Sequence, residues 1–351
     1  MKNVAVIGTV GIPACYGGFE SLVENLTSYS SSNVKYHIFC SSKSYTEKLT
    51  EYNGASLSYI PLSANGIQSI PYDIYSLICC LFKRPDVTLI LGVSGCLFLP
   101  IYRLFSSSKI VTNIDGLEWK REKWGHLAKK FLKLSESFAV KFSDVIITDN
   151  KAIGDYVDAE YSKSNVVIAY GGDHSIISGV DVGPTDDYFL SLCRIEPENN
   201  VQMILEAFLN SQQKLKFVGN WDASEFGRDL KRKFAASPNI QILDPIYDIK
   251  QLYKLRSQCK GYVHGHSAGG TNPSLVEAMH FAKPIFAFNC SFNIYSTENK
   301  ANYFTHTNEL TKLLENTSDE ELAENANNML EIALRRYTWE EITRLYEKMY
   351  N

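Results

Sequence analysis

The sequence is poor in several features that would assign it quickly. Its eight cysteines, Cys15, Cys40, Cys79, Cys80, Cys96, Cys193, Cys259 and Cys290, contain no C-x-x-C pair. That argues against a disulfide framework and suits reduced, apolar fillers of a cytosolic protein. No His/Cys cluster has ligand spacing and no D-x-D closes a strand, so no metal is expected. Gly 21 and Pro 11 are too few for a collagen-like or low-complexity chain. Charge of one sign is missing too. Lys+Arg 35 against Asp+Glu 39 gives −4, and without a basic field no nucleic-acid partner is expected. Long apolar runs are absent. The nearest, Val87 to Tyr102, is broken by Gly92, Ser94, Gly95 and Pro100 and falls short of the ~20 residues of a spanning helix. It reads as strand, glycine loop, helix. Met1 leads almost directly into the strand-like Val4-Ala5-Val6-Ile7, so no signal peptide is expected and the cytoplasm is the expected compartment.

What is present is a chain of 351 residues, 45% hydrophobic and 21% charged. That balance is incompatible with disorder. At ~150 residues per domain it suggests two domains, each large enough for its own core. Short apolar runs alternate with helical periods. Val4–Gly8, Lys35–Cys40, Val87–Gly92, Ile110–Asn113, Val145–Thr148 and Val166–Tyr170 are expected strands. Phe19–Ser30, Ile74–Phe82, Leu127–Phe142 and Ala152–Tyr156 are expected helices. Runs such as Thr88-Leu-Ile-Leu lack alternation, as strands covered on both faces do. The pattern lapses from Gly171-Gly172 through the Gly-, Asp- and Pro-bearing stretch to Asp187 and then restarts. Strands are expected at Tyr188–Ile195, Lys214–Gly219, Ile240–Leu243, Gly261–Val263 and Pro284–Phe288. Helices are expected at Val201–Leu209, Ser224–Ala235, Ile249–Gln258 and Pro273–Phe281, and throughout from Asn308, with a capping signal at Ser318–Glu321. The fold class is therefore α/β: two doubly wound Rossmann-like domains facing a cleft, 1–172 and 188–351, joined by a linker at 173–187. Ligands of such sheets sit at the carboxyl ends of the strands.

Four segments fall at such ends. After the first strand, Thr9 to Glu20 carries Gly17-Gly18 ahead of a helix. Free amides there suit an anion, or the glycines serve only the turn. The spacing of Gly8 and Gly11 does not make G-x-G-x-x-G, and the second strand ends without an acid for a ribose, which argues against a dinucleotide fold. After the Ile110–Asn113 strand comes Ile114-Asp115-Gly116-Leu117-Glu118-Trp119-Lys120-Arg121-Glu122-Lys123-Trp124. Asp115 there polarises a hydroxyl or caps the next helix, and Glu118 fits a cap better. The basic and aromatic stretch Trp119 to Lys141 is a solvated amphipathic helix or a docking element for an anionic membrane. In the second domain Arg194 stands just past a strand and suits a diphosphate, or pairs with Glu196 or Glu198. The run Val263 to Met279 places Gly269-Gly270-Thr271-Asn272 before Pro273 at a helix start. One turn inside, Glu277 is an acid where packing favours an apolar residue, suited to ribose hydroxyls. His264 reads as a core histidine.

These residues resemble a family. Ile7-Gly8-Thr9 through Tyr16-Gly17-Gly18-Phe19-Glu20, the Ile114–Arg121 run and His264–Met279 are similar to GT-B glycosyltransferases of family 4, in the branch of bacterial rhamnosyltransferases that build capsule, O-antigen and cell-wall rhamnan. The resemblance implies a retaining enzyme without metal or cofactor. Its co-substrate would be a nucleotide-diphosphate sugar, dTDP-rhamnose first and a UDP- or GDP-sugar as alternative. The acceptor would be an undecaprenyl-diphosphate-linked saccharide, reached from the inner face of the cell membrane. It assigns Arg194, Gly270 and the Thr271–Asn272 backbone to the diphosphate and Glu277 to the ribose. It makes Gly17 and Gly18 the closing loop, and Asp115 the residue in place of the wider family's catalytic histidine. Gly269 stands where the first acid of the E-x7-E motif is usual, and Asn199 where a second basic residue is usual. Trp119, Lys120, Arg121, Lys123 and Trp124 fall on the acceptor or membrane side. A GT-B-shaped epimerase or hydrolase, and a sugar-nucleotide binding protein without catalysis, are the competing readings.

Overall fold

The structure, a computed structural model, describes residues 1–15, 17–120 and 125–351. The chain divides into two compact units, Met1–Ala169 with Trp339–Asn351, and Tyr170–Thr338.

The first unit is built on a sheet of eight strands: β1 (Lys2–Ile7), β2 (Val34–Ser41), β3 (Glu51–Tyr52), β4 (Ala55–Ile60), β5 (Val87–Leu91), β6 (Lys109–Asn113), β7 (Val145–Thr148) and β8 (Val166–Val167). Their order is β3-β4-β2-β1-β5-β6-β7-β8. All neighbours are parallel except β3 and β4. The parallel core is dictated by strands such as β5, in which every residue is buried. Helices α1 (Gly18–Ser28), α2 (Ser69–Lys83), α3 (Leu99–Phe105), α4 (His126–Phe142) and α5 (Lys151–Tyr161) connect them. Direction reverses between β1 and β5, so the loops after these strands flank the switch point where such sheets bind ligands.

The second unit has six parallel strands, β9 (Phe189–Leu192), β10 (Leu215–Val218), β11 (Ile240–Leu243), β12 (Gly261–His264), β13 (Ile285–Phe288) and β14 (Asn302–Phe304), in the order β11-β10-β9-β12-β13-β14. Its helices are α6 (Val201–Leu209), α7 (Glu225–Phe234), α8 (Ile249–Gln258), α9 (Pro273–Met279), α10 (Ser291–Ser296), α11 (Thr307–Asn316) and α12 (Asp319–Arg336). The capping box at Ser318 and Glu321 is formed. The reversal here lies between β9 and β12.

The division departs from the expected 1–172, 173–187 and 188–351. The last helix, α13 (Trp339–Met349), belongs to the first unit. Trp339, Ile342, Tyr346 and Tyr350 recur on one face and are all buried. Each such side chain withdrawn from water contributes roughly 2 kcal/mol. The Tyr350 hydroxyl meets that of Tyr36 at 3.2 Å. Nor is 173–187 only a connector, since a 3-10 turn at Asp173–Ser175 lies against α9. The strand expected over Val166–Tyr170 stops at Val167, where the chain leaves the sheet edge.

Candidate active site

In the first unit the loop after β1 is fastened by acids of α1. Glu20, in the first helical turn, accepts the Val10 amide at 2.7 Å and the Thr9 hydroxyl at 3.0 Å. Glu24 accepts the Ala14 amide at 2.6 Å and the Tyr52 hydroxyl at 2.8 Å. Two amides of a loop expected to face an anion are thus taken by the chain's own carboxylates. Gly17 has φ +150, and a Cβ there would stand 1.9 Å from Glu20 Oε2, so the position requires glycine. Gly18 opens α1.

Asp115 lies just beyond β6 at φ +61. Its amide donates to Asn113 Oδ1 at 2.9 Å, and the Asn113 side chain donates to the Tyr346 hydroxyl at 2.7 Å. The returning helix α13 thereby fixes the strand end that carries Asp115. The next helical turn is Glu118–Lys120, and α4 starts at His126 behind Gly125. Gly125, not Asp115 or Glu118, stands at the N-cap of α4. Aspartate tolerates the left-handed region better than most residues, and non-glycine residues held there cluster at functional sites.

Trp119 belongs to a partly buried cage with the exposed Lys120 at its edge. Trp119 Nε1 donates to the buried Glu136 at 3.1 Å, as do the Tyr156 and Tyr161 hydroxyls at 2.6 Å. Lys133 Nζ stands 4.8 Å from the Trp119 ring and Lys120 Nζ 5.4 Å from it. Arg121, Lys123, Trp124 and Tyr16 lie outside the described residues.

In the second unit the loops after β9, β12 and β13 are stitched together. Arg194 is half-exposed, and its Nη1 lies 3.6 Å from Glu196 Oε1, a loose surface pair of little energetic weight. Asn199 is buried. Its amide nitrogen donates to the Arg194 carbonyl at 2.7 Å, and its Oδ1 meets His266 Nδ1 at 2.7 Å. Asn199 thus ties the loops after β9 and β12 together. Asn293 donates to the His266 carbonyl at 2.8 Å. His264 is buried beside Tyr262 and His266. Burial, with His266 adjacent, holds it well below the usual imidazole range.

Gly269 has φ +120, Thr271 is buried, and Asn272 caps α9 by accepting the Ser274 amide at 3.0 Å. Glu277, one turn into α9, is 15% exposed. One carboxylate oxygen pairs with the buried Arg256 of α8, and the other lies 3.3 Å from His174 Nε2. Burial acts to raise its pKa, but Arg256 and His174 outweigh it and hold Glu277 below the usual glutamate range. His174 reaches it because Gly172 abuts α9: a Cβ there would stand 2.7 Å from the Val276 backbone. The sequence reading missed Arg256 and His174. Arg256 falls one turn beyond Leu252 and Tyr253 on the inward side of α8, a placement that could have exposed it.

Residues 178–345 match the family of glycosyl transferases group 1, and residues 1–173 match a domain of unknown function, DUF1972. No curated protein matches. Among solved structures, sucrose-phosphate synthase from Thermosynechococcus elongatus is similar at TM-score 0.83 and 13% identity, covering 100% of this chain and 98% of that one. Anabaena HepE in complex with UDP is similar at TM-score 0.73 and 16% identity, covering 99% of both chains. The catalytic domain of starch synthase IV from Arabidopsis thaliana, bound to ADP and acarbose, is similar at TM-score 0.70 and 11% identity, covering 99% of this chain and 98% of that one. The fold is GT-B. No helix among the described residues is long and apolar enough to cross a membrane.

Proposed function

We propose that this nucleotide-sugar-dependent glycosyltransferase, a group 1 domain on a GT-B fold, moves L-rhamnose from dTDP-rhamnose. The acceptor is an undecaprenyl-diphosphate-linked saccharide of bacterial surface polysaccharide synthesis, and anomeric configuration is retained. The observation that carries a nucleotide-sugar donor, whatever its base, is Glu277. A carboxylate has about four acceptor sites. Arg256 and His174 use one on each oxygen, which leaves acceptors for sugar hydroxyls on a group held ionised. Arg194, Gly269, Gly270, Thr271 and Asn272 would receive the diphosphate, with Gly17 and Gly18 closing on the donor. Rhamnose as the sugar rests on the two motifs of the first unit.

No second carboxylate is assigned as a covalent nucleophile, so transfer is front-face. The bond from the anomeric carbon to the diphosphate breaks, the acceptor oxygen bonds on the same face, and its proton passes to the leaving diphosphate. Arg194 and the loop amides stabilise the charge that develops there. Asp115 orients the acceptor hydroxyl or steadies the oxocarbenium-like carbon. No resident cofactor takes part.

A UDP- or GDP-sugar is the second reading. It is favoured by the pair of acceptors left on Glu277, which suits a ribose diol, whereas dTDP offers one hydroxyl. A thermal-shift panel of nucleotide sugars tests both, since a ligand raises stability by RT ln(1+[L]/Kd). dTDP-rhamnose should give the largest shift, and Glu277→Gln should abolish it. A larger shift with a UDP- or GDP-sugar selects the second reading. No shift with any nucleotide sugar overturns the donor site.

A further inference from the structure

Helices α2, α3 and α4 lie along one face of the first unit, α3 packing against both others, and each exposes large apolar side chains. The solvent stripe of α2 is Pro71, Tyr75, Ile78 and Phe82, spaced as one helical face, with Phe82 84% exposed. Its inward face buries Tyr72, Leu77 and Cys80 together with the polar Asp73 and Ser76. An ordinary surface helix keeps its outer face polar, as α7 does here by exposing Glu225, Arg228, Asp229, Arg232 and Lys233. On α3, Leu99 and Tyr102 point inward, while Ile101, Leu104 and Phe105 face solvent, the last two 78% and 71% exposed. The outer stripe of α4 alternates Leu127, Lys130, Leu134 and Lys141.

The unpaired charge carried by the three helices is basic, and the exposed acids that follow them are engaged, Asp144 with Arg103 of α3 and Asp86 with the Asn3 amide. The only acids on the three helices are Asp73 and Glu136, and both are buried. Lys83 at the end of α2, Arg84 after it, and Lys130 and Lys141 on α4 are exposed. A contiguous apolar surface edged by lysine and arginine, with no exposed acid on its helices, fits an apolar layer beneath anionic headgroups.

We propose that the outer face of α2, α3 and α4 docks this protein on an anionic lipid bilayer. Phe82, Leu104, Phe105 and Leu127 enter the acyl boundary, and the lysines and Arg84 meet the headgroups. Trp119 and Lys133, bound to Glu136, take no part. This deepens the reading of a lipid-linked acceptor, yet the two fail separately. Vesicle binding without transfer to a lipid-linked saccharide removes the acceptor and leaves the surface, and transfer without vesicle binding does the reverse.

The test is co-sedimentation of the full chain with vesicles of phosphatidylglycerol and phosphatidylcholine, against phosphatidylcholine alone. The wild type should partition at least about tenfold more strongly onto the anionic vesicles and leave them at high salt. Phe82→Ser/Leu104→Ser and Lys130→Glu/Lys141→Glu should each abolish that preference, with thermal melting and donor-induced shifts unchanged. A wild type that stays in the supernatant, or variants that sediment as it does, overturns the proposal. So does ultracentrifugation showing a dimer that the same variants split, because a second copy would then cover the face.

Discussion

His174 Nε2 lies 3.3 Å from one oxygen of Glu277 while Arg256 holds the other. These residues come from three separate stretches: the turn after Gly172, the inward side of α8 and the first turns of α9. The arrangement keeps a mostly buried acid ionised at the carboxyl edge of the second sheet, where a neutral acid would be a poorer acceptor for a sugar hydroxyl.

The pair makes a prediction about acid. The folded pKa of Glu277 is depressed, so its contribution to stability is present above the unfolded glutamate value of about 4.3. It is lost as pH falls through the lower folded value. Glu277→Gln should lower the melting temperature at neutral pH, and its curve should converge with the wild-type curve as pH drops below about 4. Melting followed from pH 7 to pH 3 checks this. Parallel curves would show that the ionised acid does not matter.

Arg256→Met leaves Glu277 without its buried cation. Breaking such a pair costs about 3 kcal/mol. Chemical denaturation should register that loss, and donor affinity should fall with it. Arg256→Lys should recover part of both.

Arg194→Ala separates the two readings of that arginine. The pair with Glu196 is exposed and 3.6 Å long, so stability should change by less than about 1 kcal/mol. Donor binding measured by calorimetry should weaken by the ~2–5 kcal/mol of a truncated charged contact. Unchanged binding would leave Arg194 as a surface residue.

Glu20→Ala removes the acceptor of the buried Val10 amide and Thr9 hydroxyl. An unsatisfied buried donor costs ~1–3 kcal/mol, and denaturation should show that loss. A wild-type midpoint would mean that the loop is held some other way.

Asp115→Asn is the informative change at that site, because asparagine also accepts φ near +61 and the backbone need not move. The expected result is a large fall in kcat with donor affinity near wild type, as for an interaction made mainly in the transition state. Full turnover would reduce Asp115 to a loop residue.

The sequence carried the parallel strands well because strands covered on both faces stay apolar without alternation, as β5 does. It hid the edge hairpin of β3 and β4, where Glu51 and Tyr52 are polar or only partly buried. The Asn53-Gly54 turn, at φ +49 and +72, was nevertheless a legible hairpin signal. β14 and α10 are too short for periodicity to register. The return of α13 to the first unit was not legible, because its amphipathic stripe says that it is buried but not against what. At the site, Asp115, Arg194 and Glu277 stood out as charges at strand ends or inside an apolar helix. Arg256 and His174 did not, since a buried partner is defined by its distance in the fold. The basic and aromatic stretch Trp119 to Lys141 reads from sequence as one amphipathic unit, and only the fold separates Trp119, bound to Glu136, from the outward stripe of α4.

The most direct test of the account is transfer itself. The full chain is incubated with dTDP-rhamnose and a lipid-linked saccharide, and the new glycosidic bond is read by NMR. The account predicts a rhamnosylated lipid product with the donor's anomeric configuration. An inverted product, or donor consumed with no sugar on the acceptor, would contradict it.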